Sequence, residues 1–182
     1  MKQDNSNLAI NSLKLLISKH PNDSLASKAQ YKLASVYLNW EDEISLGLEA
    51  LKNTVSDYPK TIHAKQAQKE IDRFPQFLLD KGESLRKQKK LKESVDHLMF
   101  LTKNYSSTEI APKGQYMLGD VYMNDFRDFT TAIQEYRKVL ENYNGSSQEP
   151  HALFMIGYIY ANVVNDTTVS YTHLTLPTNC VV

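Results

Sequence analysis

Outside residues 169–182, the side chains best suited to proton transfer or metal ligation are His20, His63, His97 and His151. No two of them stand three or four residues apart, so no helical turn can offer a metal a pair of imidazoles. Asp96 adjoins His97, but neighbours on a helix point in different directions. Ser84-Leu-Arg-Lys87 has the S-x-x-K form of some acyl-enzyme hydrolases, which need a buried, activated serine. Here it lies among Lys81, Lys89 and Lys90 and reads as exposed helix. A glycine-rich phosphate loop is absent. Asn22, Asn104, Asn144 and Asn165 each open a glycosylation sequon, yet each also has the composition of a turn. The expectation is therefore no catalytic residue, no metal and no cofactor. The one marked charge cluster is Arg86, Lys87, Lys89, Lys90 and Lys92. Like-charged runs are usually solvated surface. The sharper alternative is a contact for acidic partner residues or lipid headgroups. With no aromatic ring interleaved to stack bases, nucleic acid is not an expected partner.

The bulk numbers agree. Lys+Arg and Asp+Glu are 21 each, so the formal net charge is zero, unlike that of a polyanion binder. A hydrophobic share of 41% can supply a core. Six Gly and six Pro in 182 residues favour helices joined by short turns. A single Cys supports neither a disulfide framework nor a cysteine zinc site. The longest apolar runs, such as Ala152 to Tyr160, are far too short to span a bilayer.

What must position these residues is a repeat. Ala29-Gln-Tyr-Lys-Leu-Ala-Ser-Val-Tyr37, Gly114-Gln-Tyr-Met-Leu-Gly-Asp-Val-Tyr122 and Ala152-Leu-Phe-Met-Ile-Gly-Tyr-Ile-Tyr160 align in register. A weaker copy holds Leu79, Gly82 and Leu85. Companion segments carry a small residue, an apolar or aromatic one four later, and a ring seven beyond. These are Ala9, Leu13, His20; Gly47, Leu51, Tyr58; Ser94, Leu98, Tyr105; and Ala132, Tyr136, Tyr143. Such spacing predicts pairs of amphipathic helices. The small residues Ala34, Gly82, Gly119 and Gly157 would admit a facing helix closely, and Ser106 with Glu109 has the form of a capping box. Between Ala34 and Gly82 the spacing exceeds the 38-residue interval of Gly119 to Gly157 by ten, which predicts an extra short helix before Pro75.

These segments resemble the tetratricopeptide repeat family. The Tyr-Pro and Tyr-Asn endings resemble its bacterial envelope members, of the outer-membrane assembly lipoprotein type. The resemblance implies an all-α fold, a right-handed superhelical array of antiparallel helix pairs. Residues 1–23 would be the second helix of a partial repeat. Residues 24–61, 75–108 and 109–147 would be full repeats, 62–74 the extra helix, and 148–168 the first helix of a truncated repeat. In the family, first helices line a concave groove. That places Lys28, Tyr31, Ser35 and Leu38, then Gln76, Leu79, Glu83 and Arg86, on the groove. Lys113, Tyr116, Asp120 and Met123, then His151, Phe154 and Tyr158, follow in the later units. The implied function is a non-catalytic scaffold holding a protein or peptide segment, in cell-envelope assembly, at the bacterial periplasm or outer-membrane periphery. Two alternatives stay open: an accessory module of a larger enzyme, and a nucleic-acid binder using the basic turn.

Val169 to Thr178 read without a mismatch as one translation frame of an adapter from sequencing libraries, so 169–182 is expected to be a non-native, disordered tail. Both ends then look like cuts. The helix from Pro150 to Val163 is expected to pack near Ile133 and Tyr136, and to expose an apolar strip through which the chain self-associates.

Overall fold

A computed structural model describes residues 2–162. The tail expectation, 169–182, lies outside the described residues, as does Val163. Among the described residues all regular structure is helical. Two compact units divide the chain, residues 1–111 and 112–182.

The first unit holds six helices, α1 (Lys2–Lys19), α2 (Ser24–Val36), α3 (Ile44–Asp57), α4 (Ile62–Asp72), α5 (Phe74–Lys87) and α6 (Leu91–Asn104). Helix α1 packs on α2, α2 on α3, and α5 on α6, and α4 lies on α3 and α2. The core between them is a row of fully buried apolar side chains, among them Leu51, Phe74, Leu78, Leu98 and Leu101. The break between α4 and α5 falls at Arg73, and Pro75 occupies the first turn of α5, where a missing N–H costs nothing.

The second unit holds α7 (Ala111–Val121, beginning at the unit boundary), α8 (Phe129–Asn142) and α9 (Glu149–Asn162). Its core joins Ala132, Ile133, Tyr136 and Val139 of α8 to Ala152, Ile156 and Ile159 of α9. The expected contact of the last helix with Ile133 and Tyr136 is therefore present. The close approach expected at the small residues is present at Gly82 and Gly119 but not at Gly157, where no described atom comes within 4 Å of an added Cβ. A Cβ added at Gly82 would meet Leu98 Cδ2 at 2.9 Å, and one at Gly119 would meet the Tyr136 ring at 2.4 Å.

One turn recurs between helices. Tyr58, Tyr105 and Tyr143 cap the C-termini of α3, α6 and α8. Three residues after each ring, and after His20, a short polar residue donates its backbone N–H to the ring residue's carbonyl, at 3.0 Å for Asp23, Thr61, Thr108 and Ser146. Asp23 then accepts from Leu25 N at 2.7 Å and Thr61 from Ala64 N at 3.1 Å, satisfying amides that have no intrahelical partner. The expected Ser106–Glu109 capping box does not form. Both residues lie inside the turn, because α7 starts only at Ala111, and Thr108 Oγ1 instead donates to the Tyr105 carbonyl at 2.7 Å.

The turns within pairs differ from one another in a way the spacing explains. Thirteen residues separate Ala34 from Gly47 and Gly119 from Ala132, but twelve separate Gly82 from Ser94. The additional residue is taken up as a π-turn after α2 (Tyr37–Glu41) and after α7 (Tyr122–Phe126). Closing bonds show the same shift. Lys90 N reaches the Leu85 carbonyl five residues back, whereas Glu43 N and Asp128 N reach Tyr37 and Tyr122, six back. Asn39 and Asn124 donate side-chain N–H groups to the Ser35 and Asp120 carbonyls at the edge of each π-turn. All three turns end on a left-handed residue that is not glycine: Asp42, Lys89 and Arg127.

Candidate partner-binding surface

In the first unit, Tyr31 and Ser35 of α2 stand open beside α4 and α5. Together with Lys32, Leu38, Asn39, Glu70, Arg73, Phe74 and Phe77 they line a pocket of about 260 Å³. That is room for one large side chain rather than for a drug-sized ligand. Phe74 is buried beneath, with Phe77 and Tyr105 rings at 5.4 and 6.2 Å. The Tyr31 hydroxyl donates to Glu70, and burial together with this bond pushes the phenol up to about 12. The tyrosine is thus fixed as a neutral donor with its ring toward the pocket. On the other side the ring meets His63 at 6.1 Å, and His63 Nδ1 lies 3.0 Å from Ser27 Oγ, which ties α4 to α2.

Placements of the other expected residues vary. Lys28 and Gln76 are exposed, Gln76 donating to Asp80 at 2.7 Å. Leu38 and Leu79 are core residues; Leu38 reaches the pocket only as its floor, because its side chain fills the space beside Gly47. Glu83 pairs with Lys87 at 2.7 Å, and Arg86, Lys87, Lys89, Lys90 and Lys92 gather at the α5–α6 turn. Sequence reading missed Glu70 and Arg73 because it treated 62–74 as an extra helix outside the repeats, and Phe77 because the register gave the groove to Gln76 and Leu79. The break before Pro75 was visible, but not that it would turn Arg73 and Phe77 toward α2.

In the second unit, Tyr116 is half-buried between Tyr136 and His151, at ring distances of 5.3 and 6.2 Å. Burial, then the charge of Asp120, raises its phenol above the usual value. Asp120 accepts from Tyr136 Oη at 2.6 Å, and Met123 Sδ lies 3.8 Å from the same hydroxyl. Both side chains thus belong partly to the α7–α8 packing. Phe154 and Tyr158 are exposed, their rings 6.4 Å apart, and Lys113 is exposed at the start of α7.

The α7–α8 hairpin, with its π-turn and its tyrosine-capped end, is where a comparison with protein families gives an answer. Residues 114–146 match the tetratricopeptide repeat family. The tetratricopeptide match begins in α7 and ends in the turn after α8. This repeat is typically a non-catalytic, protein-binding module. No curated protein matches the chain. Among the described residues, no three His, Cys, Asp or Glu side chains converge as a metal site would require, and no helix is long and apolar enough to cross a membrane. Elsewhere the polar side chains that do converge hold helices together. Asp42 lies 3.7 Å from Lys81 Nζ and 3.6 Å from Nε2 of the buried His97, whose Nδ1 reaches the Glu93 carbonyl at 2.9 Å. His97 thus finds its carboxylate in Asp42, not in its neighbour Asp96.

Proposed function

We propose that the protein is a non-catalytic scaffold that holds a segment of a partner protein against its first-helix faces, in bacterial cell-envelope assembly. The observation that carries this reading is the pocket bounded by Tyr31, Phe77, Glu70 and Arg73. It combines aromatic walls with one carboxylate and one cation, the composition of a site that anchors a single apolar side chain and orients the chain around it. Tyr116, His151, Phe154 and Tyr158 offer the second unit's own set of rings for the same task. The tetratricopeptide match supports the protein-binding part of the reading. The envelope part rests on the resemblance of the Tyr-Pro and Tyr-Asn endings. The basic residues Arg86 to Lys92 are read as a solvated turn.

Peptides selected from a random display library against the whole chain test it. Replacing Tyr31 and Phe77 by Ala should weaken the selected peptides by at least about thirtyfold, since an anchoring ring contributes on the order of 2 kcal/mol. Undiminished binding to a variant whose helicity is unchanged by circular dichroism would reject the pocket as the site.

A further inference from the structure

We propose that α9 of one copy of this chain and α1 of a second copy are the two halves of one helical hairpin, joined head to tail. Two independent observations carry this. In α3, α6 and α8 the small residue and the side chain four later are buried together: Gly47 with Leu51, Ser94 with Leu98, Ala132 with Tyr136. In α1 the same two positions, Ala9 and Leu13, are only half-covered, although Ile10 between them is buried. Helix α1 is thus a second helix with no first helix beside it among the described residues.

The first helices show the converse. Ala34, Gly82 and Gly119 are buried, and the two glycines receive Leu98 and Tyr136. At Gly157 of α9 no described atom comes within 4 Å of where a Cβ would stand. Gln115, four residues before Gly119, donates to the Glu135 carbonyl of α8 at 3.0 Å. Its counterpart Leu153, four before Gly157, is 61% exposed. Helix α9 is therefore a first helix whose second-helix side is covered by no second helix among the described residues.

The occupant that fits is α1 itself. Its Ala9, Leu13 and His20 repeat the spacing of Ala132, Tyr136 and Tyr143. Leu13 would enter the cradle at Gly157 as Tyr136 enters the one at Gly119, and Leu153 would gain the apolar cover that it lacks. The contact is heterologous, since each copy contributes a different helix, so it propagates into chains or closes into rings.

Sedimentation velocity on the full chain tests the proposal. The average mass should climb beyond one chain as concentration rises. Leu13→Lys blocks the α1 side and Leu153→Lys the α9 side, so each variant alone should stay monomeric. An equimolar mixture should give a species of two chains, because one intact α1 meets one intact α9. Both substitutions lie off the pocket at Tyr31 and Phe77, so peptide binding there should survive them. A wild-type chain that stays monomeric overturns the proposal, whether its own residues 163–182 or nothing covers α9. Association of Leu153→Lys alone, or of Leu13→Lys alone, also overturns it, the latter by indicating α9 pairing with α9. A second measurement does not depend on how a lysine is tolerated. In a Cys180→Ser background, Leu13→Cys and Gly157→Cys proteins mixed under mild oxidation should form mainly the mixed disulfide dimer. A preponderance of either homodimer would count against the head-to-tail arrangement.

Discussion

Tyr31 is the residue on which the candidate site turns, and its proton reports whether the site is as described. The folded protein holds that proton more tightly than the unfolded chain does, with a folded value of about 12 against an ordinary 10. Its stabilising effect is therefore complete below pH 10 and is lost as pH rises through about 12. Ultraviolet difference absorbance should show a tyrosine step near pH 12 that Tyr31→Phe removes. A titration in which Tyr31→Phe removes an ordinary tyrosine step would mean that the Glu70 bond is not made. Half of this site was legible from residue types. Tyr31 and Ser35 follow from placing the small residue of the repeat in register. Glu70, Arg73 and Phe77 do not, because their position depends on where a helix breaks, and Pro75 allows a break without fixing its angle. Leu38 was placed on the groove by its register and does line the pocket, though only as its floor, because the volume beside Gly47 draws the side chain inward.

At the level of helices, periodicity foretold most of the architecture, since apolar spacing of three and four is read directly as a buried stripe. The turns were harder. A Ser and a Glu three apart mimic a capping box, while the real signal was a ring followed three residues on by Asp, Thr or Ser. The π-turns were written in the difference between thirteen and twelve residues. The glycines of these helices give a paired test of which faces are occupied. Gly119→Ala should destabilise by about 1–3 kcal/mol, because its methyl group would sit inside contact distance of a fully buried ring. Gly157→Ala should instead stabilise by up to about 1 kcal/mol, through helix propensity alone. Denaturant midpoints measured at low protein concentration would decide it, and equal effects at the two positions would refute the assignment of open and filled cradles.

Across the molecule, helices pack mainly on their neighbours in sequence, α1 on α2, α2 on α3, α5 on α6 and α8 on α9. That arrangement has a kinetic consequence. Contacts between sequence neighbours close short loops, so little chain entropy is spent before a contact rewards it, and folding should be fast and able to start at any hairpin. The same locality lets the protein come apart in pieces. In the first unit α4 and α5 touch each other sparingly, and Asp42 is a polar tether from the α2–α3 turn to Lys81 and His97 on the far side of that gap. Asparagine tolerates the left-handed backbone at this position, so Asp42→Asn removes charge without straining the turn. Amides of α5 and α6 should then exchange with deuterium a few times faster than in the parent, consistent with the roughly 0.2–1 kcal/mol of a partly exposed ion pair, while those of α2 and α3 change less. Uniform acceleration across the first unit would mean that its hairpins open only together. If the tether behaves as described, a pulling force on the chain would be met by a staircase of small extensions rather than one rupture, with the step between α4 and α5 among the first to give.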